Sequence, residues 1–197
     1  MQASSRMVSA FRTIRTNTSQ GRKLNDSAEL DSHADTCCFG PGAFIVSQTG
    51  RSVTAHPFVS GLGTVKEVHI CTVAVAYDCE QTHTTYVMFF HESLYFENLD
   101  SHLMCPNQVR MAGHTINYTP LLCAPEALRT AHTHSIVSQD HDLHVPLSLN
   151  GTTSKFTVHM PTQEEVLDVQ QANVVHVHMT LLNGTPKLIL SMIMRLL

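Results

Sequence analysis

Leu30-Asp31-Ser32-His33-Ala34-Asp35-Thr36, residues 30–36, places an acid between an apolar residue and a small hydroxyl residue, with Ala34 three positions on. Apolar neighbours on both sides suit a short turn that holds a carboxylate against a buried floor. The bare Asp-Ser pair has other uses. It suits a helix N-cap or an Asx turn, because either side-chain oxygen accepts from a nearby backbone N–H. The rest of the chain has to decide between these readings.

With 197 residues the chain is long enough for one domain with a real core. Hydrophobic residues make up 43%, which is ordinary, whereas charged residues reach only 14%. No pair of the six cysteines has CxxC spacing, so neither a zinc ribbon nor a dithiol redox motif is indicated. No secretory signal is evident, and the thiols are expected to be reduced and mostly buried.

Charge is unevenly placed. Arg6, Arg12, Arg15, Arg22 and Lys23 all precede the first acid, Asp26. The remainder carries seven basic and sixteen acidic residues, a formal charge of −9. Such a body is a poor nucleic-acid surface, because phosphate neutralisation needs clustered Lys and Arg. Residues 1–26 read as a disordered basic leader. Their Arg and Ser content without acids also matches a mitochondrial transit peptide. No run reaches the ~18 apolar residues of a membrane span. Residues 188–197 are apolar but short, and Arg195 interrupts them. The expected setting is therefore cytoplasmic, with no membrane partner. Sequons at Asn17, Asn25, Asn117, Asn150 and Asn183 would matter only in the secretory pathway.

Beyond Ala28 short apolar runs alternate with Gly, Pro, Asn and Asp, and the domain reads as mainly β. Residues 65–76 alternate and are rich in Val, Ile and Thr, residues 78–81 are a polar break, and residues 84–90 are again β-branched and aromatic. This predicts a hairpin over 65–90. Just before it, Gly61 and Gly63 flank Leu62 within 58–65, a composition that permits a mobile turn. Residues 103–112 are the best helix candidate, with Pro106 suited to the first turn, Gly113 to the stop, and Val109 and Ala112 on one face. One or two helical turns are expected over 126–132. Asn150-Gly151 predicts a second hairpin between 143–149 and 155–160. Residues 161–165 resemble a helix start, and 174–180 an edge or half-buried strand.

An acid at position 31 has a use that a cap does not. Two carboxylates about 3 Å apart cannot both ionise cheaply, so they share one proton and their titrations split. The ionised member then draws a proton from water while the protonated one polarises a peptide carbonyl. The chain offers one such turn, so a second copy has to supply the partner.

From Glu29 to about Pro120 the chain resembles the protease region of copia-type retrotransposon polyproteins, members of the retropepsin family. Asp31-Ser32-His33-Ala34 resembles the catalytic Asp-Thr/Ser-Gly-Ala turn, with His33 where the glycine belongs. Residues 58–65 resemble the glycine-tipped flap that closes over substrate, and residues 65–90 the strand pair that follows. Leu94-Tyr95-Phe96, Leu99, Leu103 to Arg110 and Gly113 resemble the copia pattern leading into the single helix. The Glu29–Thr36 string and Pro106-Asn107-Gln108 resemble a divergent, algal or diatom-like subset. The resemblance implies a retropepsin-like closed β-barrel or sandwich with one short helix over residues 27–125. Residues 126–197 are left as a C-terminal β-rich extension without an assigned role.

What the resemblance implies for function is an aspartic endopeptidase acting on a retroelement polyprotein as a homodimer, intracellular and within retroelement particles, without a cofactor. Asp31 is the catalytic acid. Ser32, His33, Ala34, Asp35 and Thr36 form the active-site turn, and Gly61, Leu62 and Gly63 the flap that binds substrate. A side chain at His33 threatens crowding or strain, or adds a proton-linked control. Cys105 also stands where retropepsins usually have Gly. The alternative is therefore a catalytically inactive retropepsin-like module for dimerisation or peptide binding.

Fourteen histidines compete for attention. His132 and His134, His141 and His144, and His176 and His178 are closely spaced, and i, i+2 residues share a strand face. Third and fourth zinc ligands are not evident, so no metal site is assigned. Cys37 and Cys38 read as small buried residues beside the turn, and Met160, Met179, Met192 and Met194 as core filler.

Overall fold

The computed structural model describes residues 5–7, 25–56, 63–138, 143–167 and 174–177. Strand β1 is Ser5–Met7 and β2 is Asn25–Leu30. Beyond the acid turn come β3 (Cys38–Phe39), β4 (Phe44–His56), β5 (Val65–Cys79) and β6 (Thr84–Tyr95). Strand β7 (His102–Met104) leads into α1 (Pro106–Met111), which β8 (Thr115–Asn117) follows. A single 3-10 turn covers Glu126–Leu128. The chain continues as β9 (Ser135–Ser138), β10 (Leu143–Pro146), β11 (Ser148–Asn150), β12 (Thr153–His159), α2 (Gln163–Leu167) and β13 (Val174–Val177).

The fold is mainly β, as expected. Ten of the described strands form one mixed sheet, and β8, β9 and β10 form a smaller one. In the large sheet the pairings run β5–β12–β2–β7–β3–β6, and β6 pairs back with β5. That circuit closes the sheet on itself and removes the edges of its members. Strand β12, from the expected C-terminal extension, pairs antiparallel with β2, and β13 pairs parallel with β6. Residues on both sides of the expected 125/126 division therefore share one sheet. Ser5–Met7, within the expected leader, pair in parallel with Thr54–His56.

The hairpin expected over 65–90 forms and is longer, β5 and β6 being antiparallel from Cys79 opposite Thr84 to His69 opposite Tyr95. Val73 to Ala76 are all fully buried because successive side chains enter different cores. Val73 and Val75 join Met88, Phe90, Phe39 and Met104 in the main core, while Ala74 joins Val87, Phe89, Val166 and Val174 on the other face. A third cluster, of Cys38, Val53, Ala55, Val68, Ile70, Leu94 and Leu103, lies where the ends of β4 and β5 pack near β3 and β7.

Several local expectations need correction. The helix expected over 103–112 is shorter, because Leu103 and Met104 are drawn into β7 beside β2, and Pro106 begins the helix. Among the described residues α1 is the one α-helix within 27–125, and α2 forms where residues 161–165 resemble a helix start. At the second, the Thr162 hydroxyl accepts from the Glu165 backbone N–H and the Glu165 carboxylate accepts from the Thr162 N–H, a reciprocal cap. The 143–149 arm is divided. Residues 143–146 pair with β9, and only β11 turns through Gly151 (φ +63°) onto β12. Met160 is 46% exposed and is not core filler, whereas Met179, Met192 and Met194 lie outside the described residues. Five cysteines are buried, Cys123 is exposed, and all six are free thiols.

Gly40 is a packing requirement that composition does not reveal. A Cβ there would run into the Leu99 carbonyl, a backbone atom that cannot swing aside. Gly40→Ala is therefore expected to cost about 1–3 kcal/mol of stability, read from urea unfolding with an unchanged slope.

The small sheet predicts a pH dependence. His134 is buried with Nε2 2.8 Å from Ser154 Oγ, and burial pushes its pKa below the ordinary 6.5. Burial, then the neighbouring His132, pushes His144 down as well, partly opposed by a hydrogen bond with the Ala131 backbone. The unfolded chain thus binds these protons more readily than the native one. Stability from this source is complete above about pH 6.5 and declines as pH falls toward the depressed native values. Urea midpoints at pH 7.5 and 5.5 check it; equal midpoints would contradict the assignment.

Candidate active site

Strand β2 delivers Asp31 at its C-terminal end. There β2 lies parallel to β7, Leu30 being opposite Met104, and the Asp31 N–H donates to the Met104 carbonyl at 3.0 Å. Strand β3 returns antiparallel to β7 and parallel to β6, with Cys38 opposite both Leu103 and Leu94. The loop over 31–36 thus spans two strands locked into the same sheet.

Within the loop the Ala34 N–H donates to the Asp31 carbonyl at 3.3 Å, and the His33 N–H donates to Asp31 Oδ1 at 2.9 Å. The second bond is an Asx turn, one of the two ordinary uses expected of an Asp-Ser pair. No helix follows Asp31, so the cap alternative is removed. The Asp31 side chain is only 17% exposed, while that of His33 is 73% exposed, with Nδ1 3.8 Å from Asp31 Oδ1. His33 is not among the residues with left-handed backbone, so its position does not demand a glycine conformation here. The strain feared at this substitution is absent, and the ring stands in solvent. Ser32 is exposed, with Oγ 3.4 Å from His33 Nδ1. Asp35 is exposed, whereas Ala34 and Thr36 are buried.

A second layer holds the loop from below. Gln108, buried on α1, accepts from the Cys37 N–H at 2.8 Å and donates to the His91 carbonyl at 3.2 Å. The Cys105 N–H donates to Cys37 Sγ at 3.3 Å. Burial pushes the Cys37 and Cys38 thiols up; the charges of Asp35 and Asp31 add to the effect at Cys38. Thiols held protonated in this way are inert. On the other side, the Tyr118 hydroxyl donates to the Leu30 carbonyl at 3.1 Å. Sequence reading singled out Gln108 only as part of a family-like tripeptide and missed Tyr118 altogether. A lone Gln beside a buried Val, and a lone Tyr after a strand, carry no local signal of the partners they reach.

Of the expected flap, Gly61 and Leu62 lie outside the described residues. Beside them β4 and β5 pair up to Ala55 opposite Val65, and Gly63 has φ +76°. Val53, Ala55 and Val68 of these strands cluster with Cys38 and Leu103.

The histidines find separate partners. His176 Nδ1 is 3.1 Å from His91 Nε2, and its ring lies near-parallel to those of His91 and Phe89 at centroid distances of 5.4 and 5.2 Å. His132 meets His144 edge-on, while His178 and His141 lie outside the described residues. Among the described residues no three His, Cys, Asp or Glu side chains are grouped to hold a metal ion. No described helix is long and apolar enough to cross a membrane. No protein-family model, curated protein or solved structure matches the chain.

Proposed function

We propose that the chain is a retropepsin-like aspartic endopeptidase, active as a homodimer in which Asp31 of two copies forms the catalytic pair. The observation that carries this reading is the placement of Asp31. It is a largely covered carboxylate on a tight loop, at the end of a strand laid parallel to β7, with α1 starting two residues beyond Met104. Leu30 and Ala34 supply the buried flanks that the sequence led one to expect. One carboxylate takes a proton from water, and the other, protonated, polarises the scissile carbonyl. The substrate is an extended segment of a retroelement polyprotein, held by strand-like backbone hydrogen bonds. No cofactor enters the reaction.

Purified full-length chain is expected to cleave a peptide library, or a longer precursor of itself, at mildly acidic pH and in a pepstatin-sensitive manner. His33 favours a second reading. Its amide already binds Asp31 Oδ1 and its ring lies nearby, where a glycine would leave room for substrate. A stable dimer that binds peptides without turnover would favour this inactive module over the protease.

A further inference from the structure

Resting on the protease reading, we propose that Tyr118 is a positioning residue for the acid turn. Its hydroxyl grips the carbonyl of Leu30, the peptide unit whose N–H belongs to Asp31. That same N–H is bonded to the Met104 carbonyl. The peptide plane feeding the carboxylate is therefore held from both ends, by β7 through its N–H and by Tyr118 through its C=O. A peptide fixed at both polar atoms cannot rotate, so the direction in which Asp31 leaves the backbone is set.

Tyr118 is itself well placed for this. Its ring packs against the main core. Arg110 donates to the Ile116 carbonyl at 3.3 Å, and the Asn117 side chain donates to the His132 carbonyl at 2.8 Å, so both preceding residues are tied down. Burial, and after it the charge of Asp31, push the phenol's pKa up, with Arg110 opposing. The hydroxyl thus keeps the proton it donates. The geometry brings residues 31 and 118, far apart in the chain, to the two sides of one carbonyl.

Tyr118→Phe retains the ring and deletes the hydroxyl. In the full-length chain it is expected to lower kcat about tenfold with KM little changed, through the loss of one hydrogen bond that orients the peptide carrying Asp31. A second measurement needs no turnover. Amide hydrogen exchange at Asp31 is expected to accelerate about tenfold, while the β4–β5 amides keep wild-type rates. A merely structural role would accelerate both sets alike. If the wild type has no protease activity, the proposed function fails, and the exchange result alone decides whether Tyr118 fixes the turn. Unchanged exchange at Asp31, or unchanged kcat in an active enzyme, overturns the proposal.

Discussion

Exchanging Asp31 for Asn is expected to abolish cleavage, with a loss of at least about 10³-fold in kcat/KM, because the reaction keeps no other group to take up and return the proton. The side chains are nearly isosteric, and an Asn oxygen still accepts the bond that the His33 N–H gives to Oδ1. Folding should therefore survive, and a circular-dichroism melt close to wild type would separate lost chemistry from lost structure. Self-processing of a longer precursor at the wild-type rate would rule Asp31 out as the catalyst.

The largest expected loss of stability comes from Gln108→Leu. Leucine has similar bulk but is shorter, and it removes the buried hydrogen bond from the Cys37 N–H and the part-buried one to the His91 carbonyl. The Cys37 N–H and the His91 carbonyl are then left against an apolar group. At about 1–3 kcal/mol for each unsatisfied buried group, the cost is about 3 kcal/mol. Gln108→Glu retains an acceptor for the Cys37 N–H but buries a carboxylate facing the His91 carbonyl, so at neutral pH it should be at least as unstable as the Leu variant and recover as pH falls. Urea unfolding measures both. Because Gln108 spans from the acid turn to β6, the Leu variant should also lose activity at temperatures where it is still folded. A variant as stable as wild type would mean that the turn is not supported from α1.

What was legible in the sequence was local. The alternation of Val, Ile and Thr over 65–76 marked β5, because half-buried strands impose period two. Pro106 and Gly113 bracketed α1, Asn150-Gly151 marked a turn, and the acids of 161–165 marked a helix start, each through chemistry confined to a few residues. The acid turn was legible for the same reason. What was not legible depends on partners distant in sequence. Nothing near Leu103 says that it will lie beside β2, so the helix was begun too early. Nothing in 153–159 announces antiparallel pairing with 25–29. Gly40 is needed because of Leu99, Gln108 because of Cys37 and His91, and Tyr118 because of Leu30, and none of these pairs is adjacent in sequence.

The central claim is that two copies of Asp31 make one active site, and mixing tests it most directly. Wild-type chain and Asp31→Asn are combined at fixed total concentration, allowed to exchange subunits, and assayed. If each site needs a carboxylate from both copies, activity follows the square of the wild-type fraction, so an equal mixture retains about a quarter. If each chain acts alone, activity follows the fraction itself and about half remains, and that result would contradict the account.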